Sequence, residues 1–157
     1  YVDALIESGS NYIVIYPNND LGSEIILEEY KRLEGLNNFK IFPSIRFEYF
    51  LTFLKNSKFI IGNSSAAVRE APYYNVPTIN IGTRQLNRVS YASIKNCSYS
   101  KEEIIKSIEE CKDTKNNNED LNFIEFGEGD SDIKFQNLIL KKSFWDTDKQ
   151  KQFQDIL

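Results

Sequence analysis

The chain of 157 residues has no histidine, no methionine, one tryptophan, two cysteines and four prolines. Without histidine it lacks the commonest general base and the commonest ligand of transition metals. Cys97 and Cys111 stand far apart, in no metal-type spacing, and read as two reduced thiols. Neither a metal nor another cofactor is expected. No apolar run approaches the roughly 20 residues that span a bilayer, and no secretory signal pattern is present. A cytoplasmic protein without membrane contact is therefore expected. The net charge of −4 and pI of about 5.0 lack the basic excess that nucleic-acid partners select.

What remains is ordinary globular material, 41% apolar and 27% charged, enough for a core in a single domain. The opening "YVDALIESGSN" carries Val2, Leu5 and Ile6 at helical spacing, closed by Gly9. In an alternating α/β chain a strand precedes such a helix, so the sequence reads as part of a longer protein. "YIVIYP" (12–17) is a β-branched apolar run and predicts a buried strand. "SEIILEEYKRLEG" (23–35) predicts a helix with Ile26, Tyr30 and Leu33 on one face. "FKIFPS" (39–44) predicts a strand stopped by Pro43. Phe47, Phe50, Leu51 and Leu54 predict an amphipathic helix. "KFIIGN" predicts the next strand, "SSAAVREAPYYN" a short helix and "PTINIG" (77–82) another strand. "SKEEIIKSIEECK" (100–112) predicts a helix with a capping box of Ser100 and Glu103, burying Ile104, Ile108 and Cys111. "DTKNNNED" (113–120) reads as a solvated loop, "FGEGD" (126–130) as a turn, and the tail as one or two helices. Strands alternating with helices through short connections imply a doubly wound parallel sheet covered on both faces, a Rossmann-like architecture.

Ligands of open α/β sheets bind beyond the carboxyl ends of the strands. "NSS" lies at such an end and opens a helix, whose free N–H groups and roughly half a positive charge attract anions. Ser64 and Ser65 either cradle a phosphate or diphosphate there or simply cap the helix. Glu70, six residues after Ser64, suits paired sugar hydroxyls or a surface ion pair. Arg69 beside it faces another way. "GTRQLNR" (82–88) sets Arg84 and Arg88 past the next strand end, where Arg can grip phosphate in a bidentate way or stay solvated. Asn18 in "YPNNDLG" marks a third strand end, as a ligand contact or a turn residue.

The stretch "IGNSSAAVREAPYYNVPTINIGTRQLNR" resembles the hydrolysing UDP-N-acetylglucosamine 2-epimerases of bacterial sialic-acid and capsule synthesis. "YPNNDLGSEII" and "FGEGDSDIKFQNLI" resemble further blocks of that family in the same order, so the likeness covers about residues 12–140. The resemblance implies the second half of a glycosyltransferase-B-type two-domain fold, with a cleft between two Rossmann-like domains. It implies a single C-terminal nucleotide-binding domain over 1–157 and an N-terminal domain outside this chain. It further implies that Ser64 and Ser65 hold the diphosphate of UDP, Glu70 the ribose hydroxyls, and Arg84 the nucleotide side of the cleft. Ser44 and Ile45 match the segment whose backbone reads uracil, and Asn18 an asparagine that faces the ligand. The family's catalytic carboxylates lie in the first domain, so no residue here is assigned a catalytic role.

The implied partners are UDP and UDP-GlcNAc, the N-terminal domain of the same protein, and a second copy when the protein is full length. The histidine the family carries near the first strand of this domain is absent. Alternatives within the resemblance are a hydrolysing 2-epimerase of a UDP-diacetamido sugar and a non-hydrolysing epimerase releasing UDP-ManNAc. Outside it stand a glycosyltransferase second domain and a non-catalytic nucleotide-sugar module.

Overall fold

A computed structural model of the chain describes residues 1–113 and 129–146. Two compact units divide it, Tyr1–Leu121 and Asn122–Leu157. In the first unit the order is α1 (Val2–Glu7), β1 (Tyr12–Ile15), α2 (Ser23–Lys31), β2 (Phe39–Phe42), α3 (Phe47–Lys55), β3 (Ile60–Gly62), α4 (Ala66–Tyr73), β4 (Thr78–Ile81), β5 (Ile94–Cys97) and α5 (Lys101–Asp113). This is the α/β alternation expected from the sequence, with elements trimmed at their ends. β1 stops before Pro17 and β2 before Pro43, because a proline cannot donate to a ladder. α2 ends at Lys31, and turns carry the chain on to Gly35.

All strand pairing is parallel, but it falls into two ladders, β1–β2 and β3–β4–β5, rather than one continuous sheet. Tyr12 pairs with Phe39 and Ile60 with Thr78 at the starts of their ladders. Both ladders feed one core. Tyr12, Val14 and Phe39 from the first join Ile79, Ile81 and Cys97 from the second, under Leu5 of α1, Leu33 beyond α2, and Ile104 and Ile108 of α5. Each such side chain, fully buried, contributes about 1.5–3 kcal/mol of transfer free energy. A second cluster on the opposite side joins Leu54 of α3, Ala71 of α4 and Val76. The helices are thus divided between two faces, as a doubly wound sheet requires.

Two expectations need correction. The α2 face is only partly buried: Leu33 is sealed, but Ile26 is 41% exposed. The capping box at α5 is half formed. The Ser100 hydroxyl accepts the Glu103 N–H at 3.3 Å, while the Glu103 carboxylate accepts from the Ser98 N–H at 3.1 Å and from the Ser98 hydroxyl. Ser100 still caps the helix, but the return bond from Glu103 goes to Ser98, two residues further out, instead of to the Ser100 N–H.

Among the described residues of the second unit, α6 (Ser131–Ile139) and α7 (Lys142–Trp145) are helical. Asp130, just ahead of α6, pairs with Lys134 at 2.8 Å. The Trp145 indole donates to the Ile139 carbonyl at 2.7 Å, which ties α7 to the end of α6. Beyond Asp113, which ends α5, the loop expected over 113–120 lies outside the described residues. So do the first three residues of the turn expected over 126–130; Gly129 takes a φ of +88°.

Candidate functional site

Parallel strands place their carboxyl ends at one edge. The loop after β1 (16–22) and the loop after β4 (82–88) meet there, through an Arg84–Asp20 ion pair of 3.5 Å between exposed side chains. That contact brings the carboxyl ends of the two ladders to the same side. Asn18 is exposed in the first of these loops. Ser44 (exposed) and Ile45 (half-buried) lie in the loop between β2 and α3, at the carboxyl end of β2. Six of the seven candidate residues therefore sit just beyond strand ends of one edge, and Glu70 lies further along α4.

The centre of that edge is the β3–α4 turn. Asn63, Ser64 and Ser65 are exposed there. The Ser64 hydroxyl accepts the Ala66 N–H at 3.3 Å, so Ser64 does act as a cap. The Ser65 hydroxyl makes no capping bond. The helix therefore presents one hydroxyl and its positive end to solvent. Glu70 follows in the second turn of α4, and its Oε2 is buried without a hydrogen-bond partner. Buried carboxylate oxygens are ordinarily satisfied, so this one is anomalous within the protein alone.

Two further residues shape the edge, and the sequence reading assigned neither. Gln85 is buried, and its side-chain amide donates to the Asn63 carbonyl at 2.8 Å, pinning the 82–88 loop against the β3–α4 turn. Its Oε1 is buried without a partner. Gly82 has φ +74°, and a Cβ there would run into the Tyr99 ring. The signal for both lay in "GTRQ", where Gly and Gln flank the arginine that drew attention.

Away from that edge, the charges around one recess are paired with one another. A recess of about 380 Å³ is lined by Asp3, Ile6, Glu7, Arg32 and Lys101. Arg32 binds Asp3 and Glu29, and Lys101 binds Glu7. The Arg32 hydrogen bond holds the Asp3 carboxyl below its usual range. Such exposed pairs stabilise locally and leave no charge over for a ligand. Among the described residues no group of three or more His, Cys, Asp or Glu could hold a metal, and no helix is long and apolar enough to cross a membrane. Cys97 and Cys111 are free and buried, and burial pushes the Cys111 thiol up.

Comparison with known proteins gives the family of the chain. The UDP-N-acetylglucosamine 2-epimerase family matches residues 1–140. A UDP-N-acetylglucosamine 2-epimerase of Neisseria meningitidis serogroup B is 44% identical over 160 residues, which is 99% of this chain and 41% of that protein. The polysialic acid biosynthesis protein P7 of Escherichia coli is 39% identical over 105 residues, 67% of this chain and 27% of that one. The crystal structure of Methanocaldococcus jannaschii UDP-GlcNAc 2-epimerase in complex with UDP-GlcNAc and UDP superposes with a TM-score of 0.70 at 21% identity, over 88% of this chain and 39% of that one. The chain thus spans about two fifths of the length of the Neisseria relative. With most of its length matched and a relative of this identity, the chain belongs to the UDP-N-acetylglucosamine 2-epimerase family.

Proposed function

We propose that this chain is the UDP-binding half of a hydrolysing UDP-N-acetylglucosamine 2-epimerase acting in the cytoplasm. The observation that carries the reading is the pairing of exposed Ser64 and Ser65 at the start of α4 with a buried, unpartnered Glu70 oxygen further along that helix. Two ribose hydroxyls would satisfy that oxygen, as acidic residues do for ribose in dinucleotide folds. The diphosphate would then lie on the α4 N-terminus, held by its free amides, the two serine hydroxyls and Arg84. Backbone at Ser44 and Ile45 would read uracil, and Asn18 would close over the ligand.

In this reading the chain stabilises a leaving group. The C1–O bond to UDP breaks as the C2 proton is lost, which leaves a glycal. Water adds across the C1–C2 double bond to give N-acetylmannosamine. Donors already aimed at the departing diphosphate lower that barrier without reorganising. The carboxylates that move protons at the sugar belong to the domain ahead of this one. The higher identity and fuller coverage of the Neisseria protein support UDP-GlcNAc over a diacetamido sugar. A GDP/UDP-N,N'-diacetylbacillosamine 2-epimerase (hydrolyzing) of Campylobacter jejuni matches at 38% over only 55 residues.

Two experiments test this. Titrating the isotope-labelled chain with UDP should shift amide resonances around Asn18, Ser44–Ile45, Ser64–Ser65, Glu70 and Arg84; shifts confined to α1 and α5 reject the site. Supplying UDP-GlcNAc to the full-length protein should yield free N-acetylmannosamine and UDP, whereas UDP-ManNAc as the product refutes hydrolysis.

A further inference from the structure

The ion pair between Arg84 and Asp20 is slack. Nη2 of Arg84 stands 3.5 Å from Oδ2 of Asp20. A guanidinium that hydrogen-bonds a carboxylate does so at about 2.7–2.9 Å, and often through two nitrogens. Arg32, by contrast, reaches Glu29 at 2.6 Å and pairs with Asp3 as well. Among the described residues Asp20 is the ion-pair partner of Arg84, and both side chains are more than half exposed. The attraction is therefore coulombic, and the donors of the Arg84 fork remain available.

Both partners are anchored by their backbones. The Asp20 carbonyl accepts the Ser23 N–H at 3.0 Å. An aspartate at the start of a helix commonly turns its carboxylate onto the free N–H groups of the first turn. α2 instead has Gly22 at its N-cap, at φ +89°, and no side-chain cap. The Asp20 carboxylate is left for Arg84. The root of Arg84 is fixed from either side. The Gly82 N–H donates to the Cys97 carbonyl at 2.9 Å, and the Gln85 amide to the Asn63 carbonyl at 2.8 Å. Asn63 immediately precedes Ser64. A long side chain on a fixed root thus links an acid of the β1 loop to the neighbourhood of the α4 start.

We propose that Asp20 competes with the diphosphate for Arg84: it is a positioning residue that holds the guanidinium and gives it up when phosphate oxygens take it. The inference rests on the nucleotide reading of the β3–α4 turn. The exchange runs toward the ligand, because an exposed ion pair is weak and a bidentate arginine–phosphate contact is stronger. It is also selective. A lone carboxylate offers Arg84 no more than Asp20 does, whereas a diphosphate offers more charge and more oxygens. In a sugar nucleotide the diphosphate gains negative charge as the bond to the sugar breaks. Arg84 is then drawn from Asp20 more strongly by the leaving group than by the intact substrate, which is the differential binding that favours reaction.

Titration with UDP, followed at the amide resonances of Ser64 and Ser65, tests the competition. Asp20→Asn should bind UDP about two- to fivefold more tightly than the wild type, the range an exposed ion pair is worth. On an Arg84→Ala background the same substitution should leave the affinity unchanged. An equal gain on that background would mean that Asp20 repels the phosphates directly, and would overturn the proposal. Unchanged or weaker binding by Asp20→Asn with Arg84 intact would overturn it too, while binding by the wild type upholds the nucleotide reading. No binding by any of the folded chains would reject that reading and the competition with it. A second arm needs no ligand. Nitrogen relaxation at Arg84 Nε should show the side chain more restricted in the wild type than in Asp20→Asn. Equal mobility would show that Asp20 does not hold the guanidinium, and would overturn the proposal whatever UDP does.

Discussion

Glu70 is the residue on which binding and stability should part company. Its buried Oε2 has no partner, so removing the carboxylate deletes an unsatisfied group rather than a bond. Glu70→Ala should therefore melt at or above the wild type, within about 1 kcal/mol, while UDP affinity falls. A clear loss of stability would show the carboxylate to be structural. Gln85 should behave in the opposite way. Its amide holds the Asn63 carbonyl at 2.8 Å, and Gln85→Ala should cost about 1–2 kcal/mol in chemical denaturation and loosen both loops of the site. Gly82→Ala combines a positive φ with a collision against Tyr99. It should destabilise by about 1–3 kcal/mol, and no change in the denaturation midpoint would contradict the packing described. These roles differ in how far the sequence exposes them. The hydroxyls and Glu70 stand out by type and spacing. Gln85 does not, because its importance comes from a carbonyl 22 residues away.

At the scale of elements, local pattern and packing agree most closely in α5. Ile104, Ile108 and Cys111 are buried as their spacing requires. Ile108→Ala should cost about 2–5 kcal/mol, measurable as a lower urea midpoint at unchanged m-value. The cap shows where local reasoning stops. Ser100 with Glu103 fits the capping-box pattern, but Ser98 is nearer the carboxylate in space and takes its hydrogen bonds. β5 (Ile94–Cys97) was not legible at all. "IKNC" is short and half polar, and it becomes a strand because β4 offers a partner, Thr78 to Ile94 through Ile81 to Cys97. Across that pairing Asn80 donates to Asn96 at 2.7 Å, a bond no single-strand pattern announces.

Over the whole molecule, fold class was the most legible feature, since strand–helix alternation allows few arrangements. The split into two ladders was not, because pairing between distant strands leaves no mark in either one. The common core makes a prediction about alkaline pH. Tyr1, Tyr12 and Tyr30 are all raised above the usual tyrosine value, chiefly by burial. Their neutral forms are favoured in the folded state, so this contribution is intact below about pH 10, where unfolded tyrosine ionises. It is lost as pH rises from there through the folded values. Part of the tyrosinate absorbance should accordingly appear only together with loss of helical dichroism; complete ionisation with dichroism intact would contradict it. Calorimetric titration with UDP decides whether the β3–α4 turn and Glu70 form the proposed nucleotide site. Wild type should bind in the millimolar range, and Glu70→Ala, shown by dichroism to be folded, should not. Equal binding by both proteins, or none by the folded wild type, would contradict the account.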